Sequence, residues 1–510
     1  MNVAVQKFAD NDVEACSQAT THIDFRSKSY SGTQSKGLFV AALLLLFPFI
    51  ATAQSLNVPI TVQPAEWTKM ATVGPTGVRT NAPVTFGLGI PDSAGIDCPG
   101  TEDKPQNEGA PTRLELLSGS TQVSAQFRCT AKWPSGNAQW VLVDAQLPSF
   151  SEGAPGFDNS LSVVQVSAGG GNYPASNMAT QCTSAGAPNS SCPDANHIVV
   201  QTGAATFLIK QNNYNLFDDV QVSSTHLVSA FGHGQYDGLV LLGPSHGMYT
   251  TPTPDSVSCA SGPIPTSYHG PSVCVTPYAS NLDNASMCMI EENGPLRSAI
   301  MCEGNLVNSS GDVYMHWRTR THFWANHSDV KVTVGLRNAD VAPGCCTTPT
   351  FSNAYKEFTQ FETRLTDNLG SPSSRNFDIA NDTATSSTGT LSATNGTDRA
   401  YLYQAYSQNG EWPHWSNTSN CTGEQDSCIV SPIPRFGTVG NWTYAANGYQ
   451  INKNSATITS GRNTQYPIGW ADLDDGSNGI ETGVYQLSMY WPKSLEFQPG
   501  TANHNEIRIV

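Results

Sequence analysis

Apolar and polar residues alternate most cleanly from Asp312 to Trp324, and the alternation resumes from Asp329 to Asn338. Successive side chains of a strand point to opposite faces. One face of the first run carries Val313, Met315, Trp317, Thr319, Thr321 and Phe323, a set suited to burial. The other carries Tyr314, His316, Arg318, Arg320, His322 and Trp324. Ala325-Asn-His-Ser328 has turn composition, and Val330, Val332, Val334 and Leu336 then share a face. The pattern predicts a long antiparallel hairpin with one oily side and one side of cations and aromatics. Two readings of that second side stand open: a solvated sheet surface, or a cleft for an anionic or sugar ligand.

The same alternation, broken by Gly and Pro, predicts strands throughout. Extended segments open at Val58 and at Ala82–Pro91, and three strands follow at 113–117, 123–131 and 138–146, with another at 160–167. Ala138-Gln-Trp-Val-Leu-Val-Asp144 is a nearly continuous apolar run, the pattern of a strand covered on both faces. Residues 92–112 are expected to be a polar surface insertion, 245–280 an aperiodic insertion, and 381–397 a mobile polar loop. The best short helix candidate is Asn353–Asp367, weakened by its threonines and aromatics. No sustained 3.6-residue period and no internal repeat is visible.

Composition agrees with an all-β chain. Only 13% of the 510 residues are charged, against roughly 25% in an ordinary soluble domain. That length predicts two or three domains. Net charge is −16 with no basic run, which argues against a nucleic-acid partner. Any acidic ligand would need a local cationic pocket. P-loop and His-Glu-x-x-His motifs are absent, and no cofactor is expected. The single Gly-x-Ser-x-Gly match, at Gly243–Gly247, is followed by Met248-Tyr-Thr-Thr-Pro-Thr-Pro254, which cannot continue as the helix a nucleophile elbow needs.

The one long apolar run, Leu38–Ala53, follows Lys36 and ends in Ala51-Thr-Ala53. Its length suits a signal-peptide core, so cleavage near Ala53 and export are expected, with a membrane link only through an uncleaved leader. Residues 1–34 make that leader unusually long. Of thirteen cysteines one, Cys16, lies in the leader, and an even twelve remain. Short spacings propose the disulfides Cys182–Cys192, Cys259–Cys274, Cys288–Cys302 and Cys421–Cys428, and Cys98 is placed to pair with Cys129. Cys345 and Cys346 are adjacent and either bridge or stay free. No paired Cys-x-x-Cys motif supports zinc. Asp472-Leu-Asp-Asp-Gly-Ser-Asn-Gly479 lacks the carboxylates of a calcium loop and reads as a hairpin turn, so no metal site is expected.

Several segments, in order, resemble the rhamnogalacturonan exolyase (YetA-like) family. They are Ala82–Pro91, Val123–Asp144, Val199–Lys210, Glu292–Gly304, the hairpin, Gly469–Gly476 and Tyr490–Glu496. The resemblance implies a RIFT-type β-barrel over 54–170, a linker over 171–196, a β-sandwich over 197–510 and a further α/α toroid. That toroid is absent from this chain, which stops in the strand pattern Glu506–Val510. Either the chain is a fragment, or it is a natural form without that part. The implied activity is lyase cleavage of rhamnogalacturonan or pectin-type acidic polysaccharide. The alternative is a non-catalytic carbohydrate-binding or surface adhesion protein. A lyase needs a carboxylate neutraliser, a base and an acid. Candidate ligand contacts are His316, Arg318, Arg320, His322 and Trp324, together with Trp412, His414 and Trp415 of an aromatic loop suited to sugar stacking. No catalytic residue is assigned.

Overall fold

A computed structural model describes residues 2–5, 56–62, 78–98, 114–151, 158–166, 177–186, 191–229, 236–244, 275–338, 360–369, 374–381, 386–392, 398–406, 447–454, 456–462, 469–484, 493–499 and 505–509. These form an all-β protein in which only two short 3₁₀ turns, Asp92–Ala94 and Ser280–Leu282, interrupt the strands. Every pairing is antiparallel except that of Asn2–Val5, which runs parallel beside Lys331–Val334. Proline, glycine and short polar turns leave few long uninterrupted runs, and local hairpin pairing is the outcome.

Among the described residues two large hydrophobic cores form, beside smaller clusters. The first gathers Leu88, Leu114, Phe127, Val141, Val143, Leu161 and Val163. It is enclosed by a four-stranded sheet (57–62, 158–165, 114–118, 121–123) and a three-stranded sheet (78–89, 138–151, 125–132). The second and larger core holds Ile198, Phe207, Phe217, Trp317, Phe323, Val332, Phe377, Leu473 and Phe497. A five-stranded sheet from Ala179–Gln181 to Thr225–Ser229 covers one part of it. The strands Met287–Asn293, Arg297–Val307, Val313–Trp324 and Val330–Arg337 form a meander over another part.

The predicted hairpin is present, with Asn326 in the left-handed region (φ 61°) at its turn. From Met315 to Trp324 its burial alternates as the sequence predicts. At its start the faces differ from expectation: Val313 is exposed and Tyr314 is buried. The cause is a bulge, because the register shifts between Leu306 and Val307 opposite. Tyr314 then stacks on Tyr278 at 4.9 Å.

Four further expectations are corrected. Gln360–Thr366, inside the helix candidate, is a strand paired with Gly238–Leu242 and with Glu506–Ile509. Its threonines and Phe361 favour a pleated surface over a helix. Ser387–Ser392, inside the expected mobile loop, is a strand against Ser374–Ile379. Gly389 admits the Phe377 ring, which an added Cβ would meet at 2.5 Å. Val275–Ala279, inside the expected insertion, is a strand. Lastly, the 138–144 run is not covered on both sides. Trp140 is 49% exposed and lies on Gly87 and Gly89 of the neighbouring strand.

Candidate functional site

The meander presents its polar face to solvent, and both arginines of the 313–324 strand there have a carboxylate partner. Arg318 stands opposite Glu303 in register, and its Nε and Nη2 donate to Glu303 Oε2 at 3.0 and 2.8 Å. That pair is open to water, with the arginine side chain 49% exposed. The Nη1 end of Arg318 makes no hydrogen bond among the described residues. Arg320 forks onto Glu291, Nε to Oε2 at 2.7 Å and Nη2 to Oε1 at 2.9 Å. That bond holds the Arg320 guanidinium above its ordinary pKa. His316 lies between Asn305 and Arg337 in register. The structure thus brings His316, Arg318, Arg320, His322 and Trp324 onto one face, with both arginine forks already engaged.

His322 and Trp324 end the row, their rings 6.3 Å apart. His322 is no proton shuttle near neutrality. Burial pushes its pKa down, and the Arg297 charge beside it pushes further, to about 3. Its Nδ1 accepts a hydrogen bond from Arg297 Nη2 at 3.0 Å.

Arg297 leads into a network that the sequence did not single out, at the joint between the two cores. Its Nη1 donates to Glu292 Oε2 at 2.5 Å and lies 3.3 Å from Asp144 Oδ1. Arg128 Nη2 holds the other Glu292 oxygen at 2.5 Å. Thr85 Oγ1 donates to Asp144 Oδ1 at 2.6 Å. Gln126 accepts from the Leu296 and Arg297 backbone N–H groups at 3.1 and 3.2 Å and donates to the Arg297 carbonyl at 3.3 Å. Gly294 packs against that amide so closely that a Cβ would fall 2.0 Å from Gln126 Oε1. Gln146 Nε2 donates to the Ala325 carbonyl, and His327 Nε2 to the Asn81 carbonyl at 2.8 Å. Burial raises the Glu292 pKa, against the lowering influence of Arg297 and Arg128. Gln126, Arg128 and Asp144 come from one segment of the family resemblance, Glu292, Gly294 and Arg297 from another, and His322 from the hairpin. The only advance signal was that these charged residues fall inside otherwise apolar strands.

A cavity of about 600 Å³ opens between the five-stranded sheet and the hairpin of Trp470–Asp474 and Gly479–Val484. Phe207, Phe217, Val228 and Leu365 form part of its floor, and Asp329, Asp472, Asp474 and Glu481 stand on its walls. Burial raises the Asp472 carboxyl to about 6, and like charge on Asp474, Glu481 and Asp378 adds to the shift. The 475–478 segment is the turn expected from sequence, with Gly476 at φ 87°. Among the described residues no group of three His, Cys, Asp or Glu could hold a metal ion.

The disulfides Cys182–Cys192 and Cys288–Cys302 form as the spacings propose, and Cys98 pairs with Cys129 as their placement suggests. They point to an oxidising, extracytoplasmic environment. Cys259, Cys274, Cys421, Cys428, Cys345 and Cys346 lie outside the described residues, as do Trp412, His414, Trp415 and the apolar leader run. No helix among the described residues is long and apolar enough to cross a membrane. No protein-family model and no curated protein matches this chain.

Proposed function

We propose that the chain is an exported carbohydrate-active protein that binds rhamnogalacturonan or pectin-type acidic polysaccharide on the outer face of the 287–337 meander. In this reading the first core belongs to a RIFT-type β-barrel and the larger one to a β-sandwich, as in the polysaccharide lyases the sequence resembles. The observation that carries it is Arg318, half exposed with one end of its guanidinium open, in a row with Arg320 and Trp324. A guanidinium presents a planar fork to a carboxylate. Glu303 already occupies part of that fork, but an exposed pair contributes only about 0–1 kcal/mol. A uronate carboxylate therefore displaces Glu303 at small cost. Arg320, less exposed and forked onto Glu291, stays in place and supplies background charge.

His322 does not serve cleavage at this face. β-Elimination needs a group that gives and takes a proton, and His322 is held neutral as the acceptor of Arg297. The test is titration of the mature, secreted protein with rhamnogalacturonan oligosaccharides and neutral galactan oligosaccharides, alongside an absorbance assay for unsaturated uronate. Preferential binding of the acidic series without unsaturated product is expected. Equal or absent binding of both series refutes the acidic-ligand reading. Unsaturated product from this chain places lyase chemistry within it and overturns the binding-only assignment.

A further inference from the structure

The cavity beneath the Trp470–Val484 hairpin has a chemistry opposite to that of the meander face. Four of its wall residues are acidic and none of the described lining residues is Lys or Arg. Asp472 stands in direct register with Asp378 on one side and Glu481 on the other, so three carboxylates cross three adjacent strands in file. Asp474 follows two residues along, tied to Asn376 and to the Gly476 N–H. Asp329 faces them across the opening, bound to His327. Asp472 itself accepts no hydrogen bond among the described residues. Gly479 keeps it uncovered, since a Cβ there would lie 3.1 Å from Asp472 Oδ1. A half-buried carboxylate with no cation beside it among the described residues, between two like charges, weakens the fold that carries it, and such arrangements gather at functional sites.

The floor supplies the second half of the recognition. Val222 and Leu227, both half-buried, offer apolar surface beneath the acidic walls, backed by the buried Phe207, Phe217, Val228 and Leu365. A cavity of about 600 Å³ lies within the ordinary range for small-ligand sites. The carboxylates are too dispersed to close on a metal ion, so a point charge with a hydration shell is a poor match. We propose that this cleft binds an organic cation: an ammonium or guanidinium group held at Asp472 beside Glu481, on an aryl or alkyl body seated over Val222 and Leu227. A uronate is excluded by the same charges, so the site is independent of the polysaccharide face.

The probe is 4-phenylbutylamine, titrated calorimetrically into the mature protein, with 4-phenylbutanol and 4-phenylbutanoate as the matched neutral and anionic compounds. The amine should bind at least tenfold more tightly than the alcohol, and the acid should not bind. Its affinity should rise about tenfold from pH 5 to pH 7 as Asp472 ionises among Asp378, Asp474, Glu481 and Asp329. Asp472→Asn should lower the amine affinity about tenfold while raising the melting temperature, because it removes like-charge repulsion. A merely structural carboxylate would show the reverse stability effect. Glu481→Gln, at an exposed position, is a second variant and should weaken binding several-fold. Glu115→Gln, in the four-stranded sheet of the first core, is the charge control and should change nothing. Failure of the amine to bind, equal affinity for amine and alcohol, or unchanged affinity in both cleft variants overturns the proposal. None of these outcomes bears on rhamnogalacturonan binding.

Discussion

Replacing Arg297 tests whether the two cores are held together by charge. The residue is 8% exposed and touches Glu292, Asp144 and His322 at once. With Arg128 the network carries two positive and two negative groups, so Arg297→Met leaves one buried negative charge uncompensated. Breaking a buried pair by removing one partner costs about 3–5 kcal/mol. Glu292 keeps Arg128 and Asp144 keeps the Thr85 hydroxyl, so the lower end, about 3 kcal/mol, is expected. For units of this size that is roughly 6–12 °C in melting temperature. Differential scanning calorimetry of the disulfide-intact protein should show the parent's transition moving down and splitting as the cores uncouple. The double change Arg297→Met with Glu292→Met restores charge balance, and it should be at least about 1 kcal/mol more stable than the sum of the single effects. A cost below about 1 kcal/mol for Arg297→Met, or additive single effects, refutes the reasoning.

Other outcomes follow from the same geometry. His322 has a folded pKa of about 3, below its ordinary 6.5, so between those values the unfolded chain holds more protons and stability falls as pH falls. The loss should reach about 2 kcal/mol at pH 5, and His322→Asn should flatten the stability curve from pH 6.5 down to 4 in urea titrations. His197, 4% exposed, behaves oppositely: burial lowers its pKa, but bonds to Asp218 (3.1 Å) and Asp194 (2.6 Å) outweigh burial and raise it. Its contribution is complete below pH 6.5 and disappears as pH rises through the folded value, so His197→Gln should cost more stability at pH 6 than at pH 9. Gly294→Ala drives a Cβ into an amide fixed by three backbone bonds, and a loss of about 1–3 kcal/mol is expected in chemical denaturation. Amino-terminal sequencing of secreted protein should read from near Gln54; a start upstream of Leu38 contradicts signal cleavage.

Alternation made the hairpin legible from residues alone, because a half-buried strand writes its two environments into successive positions. The bulge at Leu306–Val307 was not legible, and it turned Tyr314 inward. Short cysteine spacing proposed Cys182–Cys192 and Cys288–Cys302, and the shared place of Cys98 and Cys129 in the first β region proposed the third bridge that forms. The strands Gln360–Thr366 and Ser387–Ser392 were missed because their polar residues are placed by tertiary partners, not by local period. Trp140 was misplaced because an apolar run does not say whether a second layer covers it. The candidate site divides the same way. The face bearing Arg318 and Arg320 follows from parity, but Glu303 lies on the neighbouring strand and Glu291 one strand further, and both depend on register. The Arg297 network and the cleft at Asp472 are assembled from segments more than a hundred residues apart, which no local pattern records.

The most direct test of the proposed polysaccharide face exchanges the two members of its exposed pair. Calorimetric titration with rhamnogalacturonan oligosaccharides is run on the parent, Arg318→Ala and Glu303→Gln, each first shown to melt like the parent. A charge-assisted bond contributes about 1.5–3 kcal/mol, so Arg318→Ala should weaken binding by roughly tenfold or more. Glu303→Gln releases the same fork and should strengthen it, with neutral galactan oligosaccharides little affected by either change. Parent-like affinity in both variants, or weaker binding after Glu303→Gln, would contradict the account and leave the meander as a solvated sheet surface.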